Sequence, residues 1–150
     1  MSRVREEIDI AAPPERIWAV VHGDIRNVPR WSSNVARTEV VGGGSLRVGS
    51  ELLYVIKVPA GTTVDVHLTV RRCEEFQLCC GTLRSALGSG TWSWTYRADG
   101  NLTNVAYEVQ IKAPLALRLV APLLERQASG ATRKNLEALK RYVESGGGAR

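Results

Sequence analysis

WSWTYRADGNLTNVAYEV, Trp92 to Val109, decides the fold. On one side of Asp99-Gly100-Asn101 the rings of Trp92, Trp94 and Tyr96 fall on alternate residues, with Ser93 and Thr95 between them. On the other side Val105, Tyr107 and Val109 alternate with Ala106 and Glu108, and Ile111 continues the series. Successive side chains of a strand point to opposite faces, so each run has one bulky apolar face. Two such runs joined by Gly and its Asn and Asp neighbours read as adjacent antiparallel strands. Three large rings on one strand also pose a functional question, because the same pattern serves a packed core or the wall of a ligand cavity.

Working upstream, breaks at Gly42–Gly44, Pro59-Ala60-Gly61, Glu74-Glu75 and Gly88–Gly90 delimit further short strands, about six after the first helices. That is an antiparallel meander rather than a βαβ series. Taking the apolar parity as inward gives Val64, Val66, Leu68 and Val70 on one strand and Phe76, Leu78 and Cys80 on the next. The same rule turns Asp65, His67, Thr69 and Arg71 outward, together with Glu108, Gln110 and Lys112.

At the N-terminus REEIDIAA (5–12) reads as a first strand. AAPPERIWAVVHG (11–23) reads as a short helix begun at Pro13-Pro14, with Ile17, Val20 and Val21 on one side. DIRNVPRWSS (24–33) is a turn or second small helix holding Trp31. At the other end apolar residues recur at helical spacing from Pro114 to Glu144, predicting one long amphipathic helix with a bend or local break near Pro122 and close backbone packing near Gly130. Gly146 to Arg150 is expected to be a disordered tail, leaving a single domain over residues 1–145.

The fold class that follows is α+β: a seven-stranded antiparallel sheet curled around the long C-terminal helix, with two short helices after the first strand. Small Ala128 and Ala131 opposite a curved sheet predict a hollow. Its expected lining is Tyr54, Val66, Leu68, Trp92, Trp94, Tyr96, Tyr107, Leu124, Ala128 and Ala131. The phenols and indole N–H groups among these are donors on apolar bodies, suited to a ring-bearing ligand with carbonyl or hydroxyl oxygens.

The 150 residues carry a net charge of +5, with the basic residues scattered and densest near the C-terminus. Without a concentrated stripe, this argues against nucleic-acid or membrane partners, the residual alternative being an interaction protein that uses the basic helix. Cys73, Cys79 and Cys80 are odd in number and lack metal spacing, so neither a disulfide framework nor a metal site is expected. The charged N-terminus has no signal-peptide pattern and no segment reaches membrane-span length, giving a cytoplasmic expectation. Monomer and homodimer both stay open.

The stretches IDIAAPPERIWAVV (8–21), NVPRW (27–31), WSWTYRADGNLTNVAYEV (92–109) and LRLVAPLLERQASGATRKNLEALKRYVE (117–144) resemble the SRPBCC superfamily, also called START-like or Bet v 1-like. Within it the chain is most similar to the polyketide cyclase/dehydrase group. The resemblance implies a helix-grip fold with a hydrophobic cavity between sheet and helix. It implies no cofactor and no single chemistry, since relatives include carriers as well as aromatase/cyclases. Two functions follow as expectations: binding of a hydrophobic, ring-containing, polyketide- or lipid-like molecule, or its cyclisation and dehydration. The second would need polar inward residues where VDVHLTV places Val64, Val66 and Leu68, or Tyr or Arg groups such as Arg84 at the cavity mouth. Catalytic residues stay unknown at this level. Asp65 with His67 reads as a solvent-facing pair, and His22 as a capping or surface residue at the end of the first helix.

Overall fold

The structure, a computed structural model, describes residues 1–58 and 61–147. The break expected at Pro59-Ala60 and the tail residues 148–150 lie outside them. Seven strands run β1 Ser2–Ile10, β2 Val35–Val40, β3 Glu51–Val58, β4 Thr62–Glu74, β5 Leu78–Ser85, β6 Gly88–Asp99 and β7 Leu102–Lys112. They form one antiparallel sheet in the order β1-β7-β6-β5-β4-β3-β2, so β1 and β2 are its edges. Between them lie α1 (Pro14–Trp18), a π-helical turn over Ala19–Gly23 and a 3-10 turn over Ile25–Arg30. A long helix, α2, spans Ala121–Glu144. This is the expected helix-grip architecture.

Asp99 and Leu102 pair at the end of the β6–β7 hairpin, and the register sets Trp92 opposite Val109, Trp94 opposite Tyr107 and Tyr96 opposite Val105. Across the far side, Val66 meets Tyr54, and Leu68 meets Leu52. The inner parity of β5 differs from expectation. Cys79 faces Trp94, Gly81 faces Trp92 and Leu83 meets Leu68, so Cys79, Gly81 and Leu83 point inward in place of Leu78 and Cys80, while Phe76, in the turn before β5, still packs on the core beside Trp18. Two local features set this parity: a bulge between Val70 and Arg72 in β4, and Phe76 held in the left-handed region (φ 68°) in the β4–β5 turn. Gly81 is obligatory beside the bulge, because a Cβ there would stand 1.7 Å from the Thr69 carbonyl oxygen.

The helix α2 closes the seam between the two edge strands. Along β1, Lys140 Nζ donates to the Asp9 carbonyl at 2.8 Å, the Glu144 carboxylate accepts from the Ala11 amide at 2.9 Å, and Arg133 pairs with Glu6 at 2.9 Å. Toward β2, Asn135 Nδ2 donates to Asn34 Oδ1 at 2.7 Å. Only Leu136, Leu139 and Val143 of this helix are fully buried. They sit among Ile10, Ile17, Val21, Val70 and Val105 in the main core.

The other half of α2 departs from expectation. Residues 114–120 do not extend the helix: Leu115–Leu117 form a separate 3-10 turn, and Pro122 stands in the first turn of α2, where its missing N–H costs no hydrogen bond. Of the bend or local break expected near Pro122, the structure has the break, just before Ala121. Gly130 makes no close approach either, since a Cβ built on it meets nothing within 4 Å. At the far end, Gly146 and Gly147 donate to the Val143 and Tyr142 carbonyls at 3.1 and 2.7 Å, so the first residues assigned to the tail close the helix.

Candidate functional site

Because α2 packs tightly only through its C-terminal half, the inner face of the sheet changes character along its length. Val70, Tyr96 and Val105 are buried under the packed half. Toward the end where α2 begins, Tyr54, Ile56, Val64, Val66, Trp94, Tyr107, Val109 and Ile111 are only half-buried. Most of these side chains pack against the core on one side, and all stay partly accessible on the other.

The polar atoms on this face say the same. Among the described residues the Tyr54 and Tyr107 hydroxyls and the Trp94 indole N–H have no hydrogen-bond partner in the protein, yet none is a sealed, unsatisfied atom; only Arg16 Nε and Trp31 Nε1 are. Groups that are neither partnered nor sealed must touch a space that water or a ligand can enter. Desolvation nevertheless raises the Tyr107 phenol to about 12 and lifts that of Tyr54 further, with smaller contributions from Tyr107 and Cys79 in the latter case. Both phenols stay neutral, and each offers one O–H donor.

At the inner end of this space is an aromatic group built from three segments. Trp94 stacks on Tyr96 with ring centroids 6.4 Å apart and 11° between planes, and lies 4.7 Å from Tyr107. Trp18 of α1 meets Tyr96 edge-on at 5.4 Å. His22 is inserted between them, 4.4 Å from Trp18 and edge-on to both Trp94 and Tyr96. Its Nε2 lies 2.7 Å from the Tyr96 hydroxyl. The wider π-helical turn carries this imidazole into the core, a local geometry often tied to functional positions. Burial alone lowers the His22 pKa to about 3, so the ring is neutral and one nitrogen can donate while the other accepts.

A recess of about 270 Å³ reaches this group from outside, lined by Trp18, His22, Leu46, Arg47, Val48, Cys73 and Glu75. Cys79 lies behind it, directly opposite Cys73 across β4 and β5, and its burial raises the thiol pKa well above the usual range. A second recess of about 610 Å³ lies between β1 and α2, lined largely by Arg3, Arg5, Glu6, Arg126, Gly130 and Arg133. No group of three or more metal-binding side chains occurs among the described residues.

The expected lining residues separate into three sets. Tyr54, Val66, Trp94 and Tyr107 are half-buried on the inner face. Leu68, Trp92 and Tyr96 are buried; Trp92 is 4% exposed and its indole N–H donates to the Thr82 carbonyl at 3.0 Å, which makes it part of the sheet's packing. On the helix, Leu124 and Ala131 are half-buried, whereas Ala128 is exposed and leaves the lining. Asp65 and His67 are exposed on the outer face. His22 is the residue that the sequence reading misplaced: it is buried, not a surface cap. The available signal was its position four residues after Trp18, which sets the two rings on one helical face.

The family model described as polyketide cyclase/dehydrase and lipid transport matches residues 1–144. None of the curated proteins matches. Among solved structures, the protein TTHA0849 of Thermus thermophilus is 19% identical with a TM-score of 0.79, over 95% of this chain and 97% of that one. A START superfamily protein of Mycobacterium smegmatis is 16% identical with the same TM-score of 0.79, over 97% of this chain and 99% of that one. The di-domain ARO/CYC StfQ from the steffimycin biosynthetic pathway is 16% identical with a TM-score of 0.70; the match covers 93% of this chain but 44% of StfQ. At these identities the structural likeness is one of fold.

Proposed function

This chain belongs to the polyketide cyclase/dehydrase and lipid-transport family, and we propose that it binds a neutral, ring-containing hydrophobic molecule between the sheet and α2. The observation that carries this reading is the set of unpartnered donors, Tyr54 Oη, Tyr107 Oη and Trp94 Nε1, on an otherwise apolar inner face. A planar ligand would stack on Trp94 and Tyr107 and accept hydrogen bonds through carbonyl or hydroxyl oxygens. No cation stands among these residues to neutralise a carboxylate, which disfavours a fatty-acid-like anion. The test is titration with anthraquinone as probe, followed by tryptophan fluorescence. Tyr107→Phe should weaken binding roughly 3- to 10-fold, the worth of one hydrogen bond, and Trp94→Leu should weaken it more. Unchanged affinity in both variants would remove the ligand from this face.

One observation favours the second reading, cyclisation or dehydration of such a molecule. The neutral His22 imidazole bonded to the Tyr96 hydroxyl is the arrangement through which a proton could be passed to or from a ligand oxygen. Turnover of a poly-β-ketone analogue that is abolished by His22→Gln, with probe binding retained, would move the protein into the enzyme class. Absence of turnover in the wild type leaves the binding role alone.

A further inference from the structure

The end of the molecule where the sheet's inner face opens carries an unpaired surface of mixed character. Leu115, Leu119, Val120 and Leu123 are 77, 96, 44 and 55% exposed within nine residues of chain. Single exposed leucines are ordinary, but four large aliphatic side chains in one short segment form a patch of the kind that marks an interaction site. The sequence alone did not separate them from the apolar stripe of a buried helix. The fold does, by ending the packed part of α2 at Leu136 and turning residues 115–117 into a separate 3-10 turn.

Around this patch the exposed charges are mainly positive. Lys112, Arg118 and Arg126 have no ion-pair partner among the described residues, and Glu125 is the one acid between residues 112 and 126. Arg3, Arg5 and Arg133 extend the positive border through the recess beside α2, each already paired with a carboxylate. Against the sequence expectation of no membrane partner, we infer that Leu115–Leu123 docks the protein on an anionic lipid surface. The aliphatic side chains enter the boundary between headgroups and acyl chains, while Lys112, Arg118 and Arg126 meet the lipid phosphates. A second copy is a poorer occupant, because a two-fold contact through the patch would bring the same cations against one another. Docking would set the open end of the inner face at the lipid boundary, so that a hydrophobic molecule could pass between them with little exposure to water. The inference goes beyond the ligand-binding reading and does not need it: vesicle binding is measured on the ligand-free chain.

The experiment is co-sedimentation of the full chain with vesicles of phosphatidylcholine alone and of phosphatidylcholine mixed with phosphatidylserine, alongside light scattering of the protein in solution. Wild type is expected on the anionic vesicles and largely absent from the neutral ones. Leu119→Asp with Leu123→Asp should lower the anionic-vesicle affinity by about tenfold or more, since each lost aliphatic insertion is a sizeable apolar term. Arg118→Glu with Arg126→Glu should lower it by a similar factor and abolish the preference for phosphatidylserine. Both variants alter exposed side chains and should retain the wild-type circular dichroism and anthraquinone affinity. No sedimentation with anionic vesicles, or sedimentation indifferent to both double variants, overturns the inference. A wild-type dimer that the leucine variant converts to monomer, with no vesicle binding, would assign the patch to a second copy instead.

Discussion

His22 makes stability depend on pH in a direction and range that follow from its surroundings. In the unfolded chain an imidazole titrates near 6.5, whereas in the folded protein burial depresses it to about 3. Below pH 6.5 the unfolded state therefore takes up a proton that the folded state refuses. The stability held at neutral pH is lost progressively as pH falls from 6.5 toward 3, and it is fully present above 6.5. At about 1.36 kcal/mol per pH unit, the loss reaches about 2 kcal/mol by pH 5 and about 2.7 kcal/mol by pH 4.5. The groups near the imidazole are Trp18, Trp94 and Tyr96, with Arg47, Cys73 and Glu75 lining the recess beside it. None of the carboxylates with depressed pKa values, Asp24, Glu108 and Glu144, is removed by changing His22, so their contributions cancel when wild type and variant are compared. The perturbation is His22→Gln, whose amide can still meet the Tyr96 hydroxyl but does not titrate. Urea denaturation at pH 7, 6, 5 and 4.5, followed by circular dichroism, should show the wild-type midpoint falling by about 1 M more than the variant's between pH 7 and 5. Parallel pH profiles, or a folded-state imidazole resonance that titrates near 6.5, would refute the buried neutral placement.

Tyr96→Phe should destabilise by about 1–3 kcal/mol, because it leaves the buried His22 Nε2 without its partner, whereas Tyr107→Phe, which breaks no hydrogen bond, should change stability by less than about 0.5 kcal/mol; equal costs in denaturant would show that the Tyr107 hydroxyl has a partner after all. Gly130→Ala should raise stability by about 0.5–1 kcal/mol through helix propensity, since the added methyl meets no atom within 4 Å, and a loss of stability would mean a close approach at that position. Gly81→Ala should cost more than about 3 kcal/mol or prevent folding, because its Cβ would be driven into the Thr69 carbonyl; a well-folded Gly81→Ala protein with unchanged denaturation midpoint would place the β4 bulge elsewhere.

The strand parity read from WSWTYRADGNLTNVAYEV places Trp94 and Tyr107 in direct opposition, and the parity of TTVDVHLTV places Val66 against Tyr54 while leaving Asp65 and His67 exposed. Those relations were legible because a strand's two-residue period and a short hairpin fix which side chains share a face. The parity of β5 was not legible, since a bulge between Val70 and Arg72 shifts the register by a residue without altering composition. The burial of His22 was hidden for a different reason: it stands at the end of the first helical segment, where a histidine reads as a cap, and only the packing of Trp94 and Tyr96 against it encloses the ring.

Taken by itself, the chain determined its architecture, an antiparallel sheet wrapped on a C-terminal helix, because apolar periodicity and turn residues are local properties of the polypeptide. The depth of contact between sheet and helix is not local. Periodicity extends the apolar stripe of α2 from Leu136–Val143 back through Ala131, Ala128 and Leu124 without a break, but a stripe is buried only where a partner surface meets it. That meeting depends on β1 and the residues before β2 converging on the helix near Glu6, Asp9 and Asn34. N-terminal to Ala131 the contact of α2 with β1 thins to the Ser129–Glu6 hydrogen bond, so Ala128 and Leu123 are exposed, while Tyr54, Trp94 and Tyr107 stay half-buried on the inner face. The tertiary structure alone decided where the core stops, because that is set by the spacing of elements far apart in the chain and not by the residues that line the gap.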